Sequence, residues 1–541
     1  MAETLPWWKT AVIYQLLVRS FQDSDGDGIG DLPGLLDRLD YIQLLGVDAI
    51  WLTPINPSPW CDGGYDVADY CDIHPQLGTL AIFDRLVAAC HARGLRILLD
   101  WVPNHTSREH AWFTEARSSR QSLRRDWYIW QDPKPDGSPP NNWLSVFGGS
   151  AWTWEADTGQ YYFHAFMREQ PDLNWRNPQV RAAMHDTLRF WLARGVDGFR
   201  IDALDMVLET SDLTDNPPNP KFNPHEALDQ AVLHLHTRNQ PGLHPLVAGM
   251  RQVSDEFPER VLLGEAYIEV KELVRYYGTR SAPELHLPLN PSLLRQRWDA
   301  DELTAAIKQY LKEIPAHGWP TWANGNHDMP RIGERATVEQ ERVAAMLLLT
   351  LRGTPSIYYG EEIGMSNVSI PPEMTEDPQG RIQPHRNRDV ARTPMQWNDS
   401  PNAGFTAGDP LLPVADNYRD VNVARQQHDP QSLLNLYRRL LALRKAEPAL
   451  QRGSQQVIER QAPTVAYLRE QDGRRLLVLL NLAGDTYSFR FAGLGRQGRI
   501  LFSTHLEWPD STATDKITLR GNEGVVVVLD SRSSTITATI A

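Results

Sequence analysis

Four short apolar runs in this chain of 541 residues end in polar or charged side chains. The most constraining run covers residues 198–203, where Asp202 follows Arg200 by two positions. Side chains two apart on a strand share a face, so Arg200 would keep Asp202 ionised through a charge-assisted hydrogen bond. The other three runs lead to Asp100 and His105, to Glu265, and to His327 and Asp328. Strands that all end this way predict one acidic site at the C-terminal end of a barrel.

The spacing of apolar runs predicts an α/β fold, a (β/α)8 TIM barrel. Helix-like segments at residues 32–45, 80–93, 180–194 and 338–351 alternate with strand-like runs. Eight parallel strands joined by helical crossovers close into such a barrel. The predicted strands cover residues 11–18, 48–53, 95–102, 198–203, 261–267, 284–289, 320–324 and 355–360.

Two regions do not fit the barrel pattern. Residues 105–175 are rich in aromatic residues, proline and glycine, which predicts a small inserted domain after the third strand. Residues 456–541 are strand-rich and predict a C-terminal antiparallel β-sandwich. Residues 1–104 and 176–455 then form the barrel, in which a second long excursion, residues 207–245, follows the Asp202 strand and would narrow the entrance to the site.

The gross composition narrows the class of partner. A net charge of −14 disfavours nucleic acids and anionic membranes, and no run reaches the about 18 apolar residues of a membrane span. The first ten residues lack a signal-peptide pattern, and three cysteines make a disulfide scaffold improbable. We therefore expect a cytoplasmic protein, a monomer or small homo-oligomer, acting on a small neutral molecule.

Two further motifs extend the pattern, residues 170–174 and residues 392–397. Together with the four strand ends, and in this order, they resemble the α-amylase superfamily of retaining α-glycoside hydrolases and transglycosidases (glycoside hydrolase family 13). The resemblance covers almost the whole chain and is nearest to the α-glucosidase and oligo-1,6-glucosidase branch. It implies a TIM-barrel hydrolase whose substrate is a small sugar.

The catalytic residues follow from the chemistry of glycoside cleavage. Retention needs two carboxyl groups roughly 5–5.5 Å apart, one as nucleophile and one as acid and then base. We assign Asp202 as nucleophile and Glu265 as the acid, whose pKa burial would raise. Asp328 is the third carboxylate, placed to hold ring hydroxyls near the transition state. The alternative is that these buried acids only pair with arginines.

The resemblance also implies a set of substrate-binding residues. His105 and His327 would donate hydrogen bonds to hydroxyls of the bound glucosyl unit, and Tyr65 would stack on its ring. Asp62 and Arg392 would pair and clamp the outer hydroxyls, which closes the pocket and implies an exo-acting enzyme. Phe166 is a candidate wall of the pocket, although an aromatic side chain is as often part of a core.

Alternating carboxylates after the first strand suit a hard cation with oxygen ligands, Ca²⁺ before Mg²⁺. The loop is not an EF-hand, because its twelfth position is Gly34 where that motif needs a glutamate. The alternative is an acidic turn that caps the next helix. The resemblance implies a structural metal and no organic cofactor, with these ligands: Asp23, Asp25, Asp27, the Ile29 carbonyl and Asp31.

The predicted function is a retaining, exo-acting α-glucosidase that releases terminal glucose from maltose and short oligosaccharides. In the branch that the chain resembles, Ala203 after the nucleophile favours α-1,4 over α-1,6 linkages. A glucosyltransferase or isomerase of the trehalose synthase type would use the same glucosyl-enzyme, and transglucosylation stays open. A non-catalytic transporter-associated scaffold would be expected to lack a catalytic acid and to carry a membrane span.

Overall fold

A computed structural model of the chain describes residues 5–458, 463–490, 494, 497–507, 512–514 and 516–530. Eight parallel strands form one sheet in the order β7-β8-β1-β2-β3-β4-β5-β6, and they coincide with the eight predicted runs to within a few residues. They are β1 (Ile13–Leu16), β2 (Ala49–Leu52), β3 (Arg96–Trp101), β4 (Gly198–Ile201), β5 (Val261–Glu265), β6 (Leu287–Leu289), β7 (Thr321–Ala323) and β8 (Thr354–Tyr358).

The Thr321 side chain bridges the two edges of this sheet. The Thr321 hydroxyl on β7 donates to the carbonyl of Pro288 on β6 at 2.7 Å and accepts from the Asn290 amide at 2.9 Å. Pro288 is the middle residue of the short strand β6, and a proline there has no N–H to offer a ladder. The Thr321 hydroxyl supplies hydrogen bonds between the two edge strands where a backbone ladder is missing. The sheet is therefore a nearly closed barrel, as predicted.

Helices pack around the barrel, and all four predicted helices are present with one change. The segment 32–45 is two helices rather than one, because Arg38 between them leaves the helical conformation at φ −104°, ψ 4°. Among the described residues no helix is long and apolar enough to span a bilayer. The α-helices are Val18–Phe21, Leu32–Asp37, Leu39–Leu45, Leu80–Ala92, Ala111–Ser118, Pro178–Ala193, Leu243–Asp255, Val270–Leu273, Ser292–Arg295, Ala300–Glu313, Val338–Thr350, Pro378–Ile382, Val423–His428, Leu433–Ala446 and Pro448–Gln451.

The segment between β3 and β4 folds as a small aromatic unit. Its three-stranded antiparallel sheet consists of Trp130–Gln131, Trp152–Glu155 and Gln160–Phe163. Trp143 packs with Trp152 and Phe163 of this sheet in a buried cluster that is separate from the main core. The boundaries at residues 105 and 175 stay predictions.

The second excursion is fastened to this inserted unit. The Asn142 amide donates to the Asp215 carboxylate at 3.0 Å, and the Asn216 amide donates to the Asn142 side-chain oxygen at 2.8 Å. The Trp143 indole adds a third bond, to the Thr214 carbonyl at 2.9 Å. The two excursions therefore form a continuous wall above the ends of β3 and β4.

The C-terminal region is antiparallel. A two-stranded sheet, Tyr487–Arg490 with Lys516–Leu519, packs its apolar residues, such as Phe489, against one face of a six-stranded sheet. The other face of that sheet, which carries Tyr467 and Val478, packs against the barrel. Phe491 and residues 531–541, included in the predicted domain, lie outside the described residues. The strands of the six-stranded sheet are Ser454–Val457, Thr464–Gln471, Arg474–Asn481, Gly524–Leu529, Gly498–Ser503 and Thr512–Ala513.

Candidate active site

The guanidinium of Arg200, only 1% exposed, joins three carboxyl groups at the C-terminal end of the barrel. One terminal nitrogen, Nη1, donates to Asp100 at 2.7 Å and to Asp202 at 2.6 Å. The other, Nη2, lies 2.5 Å from a carboxylate oxygen of Glu265. Because both bind the same guanidinium, the carboxyl groups of Asp202 and Glu265 lie side by side.

The backbone explains how the two predicted catalytic carboxyl groups meet. β4 continues to the Asp202 amide, which donates to the Trp101 carbonyl of β3 at 2.9 Å. The chain then turns sharply at Ala203, whose φ of 44° lies in the left-handed region. This conformation directs the Ala203 amide at the second oxygen of Glu265, 3.3 Å away. The turn after the strand thus positions the neighbouring acid as well as Asp202.

Burial and the shared arginine act in opposite directions on these acids. Burial raises the pKa of Glu265 to about 7 and also raises the pKa of Asp202, while the charge of Arg200 opposes both shifts. Asp100 is fully buried beside them, and burial raises its pKa too. One cation among three buried carboxyl groups favours retention of a proton within the group.

The pKa of Asp328 is shifted in the opposite direction to the pKa values of Asp202 and Glu265. Burial acts to raise its pKa, but His327, Arg388 and Arg392 outweigh that effect and hold the pKa well below its usual range. Arg388 donates to Asp328 Oδ1 at 3.2 Å, and Arg392 donates to the same oxygen at 3.3 Å. Asp328 is therefore ionised, whereas the raised pKa of Glu265 lets that acid hold a proton near neutral pH.

The predicted hydroxyl-binding residues line the same space but also bind one another. Tyr65 stacks on His327 with ring centres 5.5 Å apart, and its hydroxyl lies 2.6 Å from Nε2 of that histidine. The same hydroxyl donates to Asp100 at 2.9 Å. His105 lies 3.0 Å from the Gln170 amide nitrogen. Burial lowers the pKa of both histidines to about 3, so both are neutral at physiological pH.

The expected pair between Asp62 and Arg392 is wrong. Asp62 Oδ1 accepts instead from Arg388 at 3.0 Å, and its other oxygen accepts from Gln170 at 3.1 Å. Arg392 faces away from Asp62 because its Nε donates to the His327 carbonyl at 2.8 Å and its other nitrogens meet Asp328 and Asp389. Arg388 begins the helical turn Arg388–Ala391, and Arg392 follows it directly. The two arginines therefore lie one turn apart, and it is Arg388 that reaches Asp62.

These groups surround an open cavity of about 1050 Å³. Phe166 lines it next to Phe147, whose ring centre lies 6.0 Å away, and also packs against the aromatic cluster of the inserted unit. Arg392 lines a neighbouring cavity behind Tyr65 and His327, and not this one. The excursion after β4 contributes Asp229 to the lining, so it borders this cavity.

The acidic loop after β1 has features of both alternatives, a cation site and an acidic turn that caps the next helix. Asp23, Asp25 and Asp27 each bring a carboxylate oxygen to within 4.8 Å of the others, which suits a hard cation. Asp31 does not join them. Its Oδ1 accepts from the Gly34 amide at 2.6 Å and caps the helix Leu32–Asp37, while Oδ2 accepts from Ser24.

Sequence reasoning overlooked four contributors to the site. Asp100 lies in the predicted strand 95–102, but its position in the sequence does not indicate that it pairs with Arg200. Gln170 lies in the motif at residues 170–174, for which the sequence indicated no individual role. Arg388 and Asp377 had no signal in the sequence, although they pair at 2.8 Å and Asp377 is fully buried. A buried pair in a loop of irregular turns becomes visible only when the fold brings it to the barrel.

Comparison with known proteins identifies the family of the chain. The family described as Alpha amylase, catalytic domain, matches residues 15–453. A probable alpha-glucosidase of Rhizobium meliloti (strain 1021) is 40% identical over 500 residues, covering 88% of this chain and 90% of that protein. A trehalose-6-phosphate hydrolase of Escherichia coli (strain K12) is 40% identical over 520 residues, covering 88% of this chain and 91% of that protein.

A similar solved structure supports the same family assignment. The crystal structure of an alpha-glucosyl transfer enzyme, XgtA, superposes with a TM-score of 0.92 at 39% identity, covering 97% of this chain and 100% of that one. The family match spans the barrel that carries Asp202, Glu265 and Asp328. The chain therefore belongs to the α-amylase family, in its α-glucosidase branch, and is a glycoside hydrolase.

Proposed function

We propose that the protein is a retaining, exo-acting α-glucosidase that removes one terminal glucose by double displacement. The observation that carries this proposal is the sharing of Arg200 by Asp202 and Glu265. Two carboxyl groups side by side on one guanidinium fit the roughly 5–5.5 Å separation of retaining enzymes better than the roughly 6.5–9.5 Å that leaves room for a water in inverting ones. Retention, with one carboxylate as nucleophile, fits the short separation.

In the first step an oxygen of Asp202 attacks the anomeric carbon and the bond to the leaving sugar breaks. Glu265 gives its proton to the departing glycosidic oxygen. In the second step Glu265 takes a proton from water, and that water attacks the same carbon and releases Asp202. The pKa of Glu265 near 7 suits a group that must donate and then accept a proton.

The closed end of the pocket supports an exo mode of action. We define the closed end as Asp62, Asp328, Asp377 and Arg388. Arg388 binds all three carboxylates at 2.8 to 3.2 Å. Such a plug leaves room for one terminal ring and blocks the continuation of a chain. Ala203 lines the cavity directly after the nucleophile and supports a preference for α-1,4 linkages.

Transglucosylation is the second candidate, and the similarity to an alpha-glucosyl transfer enzyme favours it. An isomerase of the trehalose synthase type would also pass through a glucosyl-enzyme. Hydrolysis and transfer differ only in the acceptor that attacks Asp202-bound glucose. Hydrolysis and transfer therefore use every residue named above, and only their products distinguish them.

A time course of proton NMR spectra with maltose, isomaltose and sucrose tests the proposal. We expect α-glucose to appear first, and fastest from maltose. Early β-glucose would contradict retention. Trehalose or longer oligosaccharides that appear before free glucose would identify the enzyme as an isomerase or transferase.

We also propose that Ca²⁺ binds the loop after β1 through Asp23, Asp25 and Asp27, with the Ile29 carbonyl as a further ligand. Asp31 is left out of the set, because its two oxygens cap the next helix and accept from Ser24. Mg²⁺ would need a tighter octahedral shell. The gathered carboxylates support this proposal. A bound cation would hold the loop without entering the chemistry. Calorimetric titration of the metal-stripped protein with Ca²⁺ should show one site, and binding that survives Asp25→Ala together with Asp27→Ala would contradict it.

A further inference from the structure

A second cavity lies next to the catalytic cavity, and Tyr65 and His327 line both of them. This second cavity has a volume of about 630 Å³. None of the three carboxylates assigned to the reaction lines it, and the proposed function gives it no role. We call it the rear cavity.

One guanidinium in the rear cavity has no ionic partner. Arg19 lines the cavity and is half-buried, and among the described residues its side chain forms neither an ion pair nor a hydrogen bond. Its Cζ lies over the ring of Trp60, 4.4 Å from the ring centre, which leaves the N–H groups at the edge free to donate. Trp60 adopts a φ of 62°, in the left-handed region, and bulky residues strained in this way cluster at ligand sites.

Burial and a second cation both lower the pKa of Arg19. Burial has the larger effect, and the charge of Arg392 acts in the same direction. The carboxylates of Glu376 and Asp389 oppose these effects without cancelling them. An anion beside Arg19 would replace the hydration that burial removes and would stabilise the charged guanidinium.

Arg392 directs a second guanidinium nitrogen to the same gap. A methyl group built on Gly63 would lie 3.8 Å from Nη1 of Arg19 and 3.9 Å from Nη1 of Arg392. This nitrogen of Arg392 lies 3.8 Å from the Asp389 carboxylate, which is too long for a hydrogen bond. Because residue 63 has no side chain, one ligand can reach both nitrogens.

The three acids that line the rear cavity are held by other groups. Asp377 binds Arg388 at 2.8 Å. Asp389 accepts from the backbone amides of Glu376 and Asp377 at 2.8 and 2.7 Å. The Glu376 carboxylate lies 3.6 Å from Arg381. These acids therefore leave the guanidinium above them without a carboxylate partner.

Apolar side chains form much of the remaining wall of the rear cavity. A pocket with an apolar wall and a few convergent charged groups is typical of a site for a small organic ligand. Guanidinium edges select a carboxylate, and the apolar wall favours a short hydrocarbon tail over a bare inorganic ion. The apolar residues are Leu17, Pro394, Phe405, Leu411 and Leu412.

We propose that the rear cavity binds a small organic carboxylate, with its charged group between Arg19 and Arg392 and its tail on the apolar wall. Arg392 also donates to the His327 carbonyl and to Asp328. A bound carboxylate would therefore fix Arg392 from the side opposite the sugar. The competing explanation is that the Glu376 side chain turns to pair with Arg19.

Calorimetric titration of the unaltered protein with acetate, butyrate and hexanoate tests the proposal. We expect affinity to rise roughly threefold for each added methylene group, because each one covers more of the apolar wall. Hexanamide has the same length without the charge. We expect it to bind at least about tenfold more weakly than hexanoate.

Variants locate the bound carboxylate. Arg19→Gln should lower the affinity for hexanoate about 10- to 100-fold, the equivalent of one hydrogen bond to a charged group. An unchanged thermal unfolding curve without ligand shows that this variant is folded. Leu411→Ala should reduce the advantage of hexanoate over acetate and leave acetate binding unchanged. Arg168→Gln is the matched control and should bind hexanoate normally, because Arg168 is 69% exposed and lies outside the rear cavity.

Three results would overturn the proposal: no binding of any carboxylate, equal binding of hexanoate and hexanamide, or full binding by Arg19→Gln. Binding that appears only in Glu376→Gln would show that Glu376 pairs with Arg19 in the unaltered protein, and would overturn it too. None of these measurements depends on sugar cleavage, so the proposed glucosidase function stands or fails separately.

Discussion

The two ends of the cleft, the closed end around Arg388 and the catalytic end around Arg200, each gather three carboxyl groups on one arginine, with opposite results. At the closed end, burial acts to raise the pKa of Asp328, but the neighbouring histidine and arginines outweigh it and hold the pKa well below its usual range. At the catalytic end, burial raises the pKa of Glu265 to about 7 in spite of the charge of Arg200. The closed end is therefore preorganised to hold one ring, whereas the catalytic end keeps a proton that the reaction moves.

The largest effect should come from the nucleophile Asp202 at the catalytic end. Asp202→Asn removes the nucleophile but keeps the size of the side chain, so we expect kcat to fall about 10⁴-fold or more on every substrate. Steady-state rates on maltose and glucosyl fluoride measure this loss, and an unchanged thermal unfolding curve shows that the fold survives. Substantial activity on either substrate would mean that Asp202 is not the nucleophile.

Glu265→Gln should separate substrates by the leaving group's need for a proton. We expect a loss of about 10²- to 10⁴-fold on disaccharides, the usual size of a general-acid contribution. Formation of the glucosyl-enzyme from glucosyl fluoride should suffer much less, because fluoride departs without protonation. Rapid-quench measurement of fluoride release provides the comparison. Equal losses for both leaving groups would argue against the acid role.

Arg388→Ala should damage the closed end for all substrates alike. It leaves Asp62 and Asp377 without their guanidinium partner, and breaking a buried pair costs about 3–5 kcal/mol. We expect kcat/KM to fall at least about 10²-fold on disaccharides and on glucosyl fluoride. Arg388→Lys should recover part of the loss. A loss confined to disaccharides would dissolve the contrast between the two ends.

The pH profile provides a smaller effect with a definite sign. Glu265 must be protonated to act as an acid, and its pKa is raised to about 7. We therefore expect kcat/KM on disaccharides to fall about tenfold per unit as the pH rises above 7. In Glu265→Gln this alkaline fall should disappear when glucosylation by glucosyl fluoride is followed. Its persistence would assign the proton to another group, such as Asp202.

The smallest effect should be that of the metal, which lies outside both ends. Binding at 100 times the dissociation constant adds about 2.7 kcal/mol, so removal of Ca²⁺ should lower Tm by only a few degrees. Scanning calorimetry with and without a chelator measures the shift. Asp27→Ala should abolish the response to Ca²⁺. A direct loss of glucosyl fluoride turnover at 25 °C on chelation would contradict a purely structural role.

Much of the barrel could be predicted because parallel buried strands have a clear sequence pattern. Their ends carried Asp202, Glu265 and Asp328 in the primary sequence, and parallel strands deliver such residues to one edge. The sequence could not show that Asp62 would pair with Arg388 rather than with Arg392. Arg388 and Arg392 are one helical turn apart in irregular backbone, and only packing decides which of them meets Asp62.

The most direct test of a covalent mechanism at Asp202 uses the Glu265→Gln variant. Glucosyl fluoride can load the nucleophile, but without a base the glucosyl-enzyme should break down slowly and accumulate. Acid quenching, digestion and peptide mass spectrometry would then locate the attached sugar. We expect one hexose on the carboxylate of Asp202. A hexose on Asp100 or Asp328, or no covalent species while glucose is still released, would contradict double displacement through Asp202.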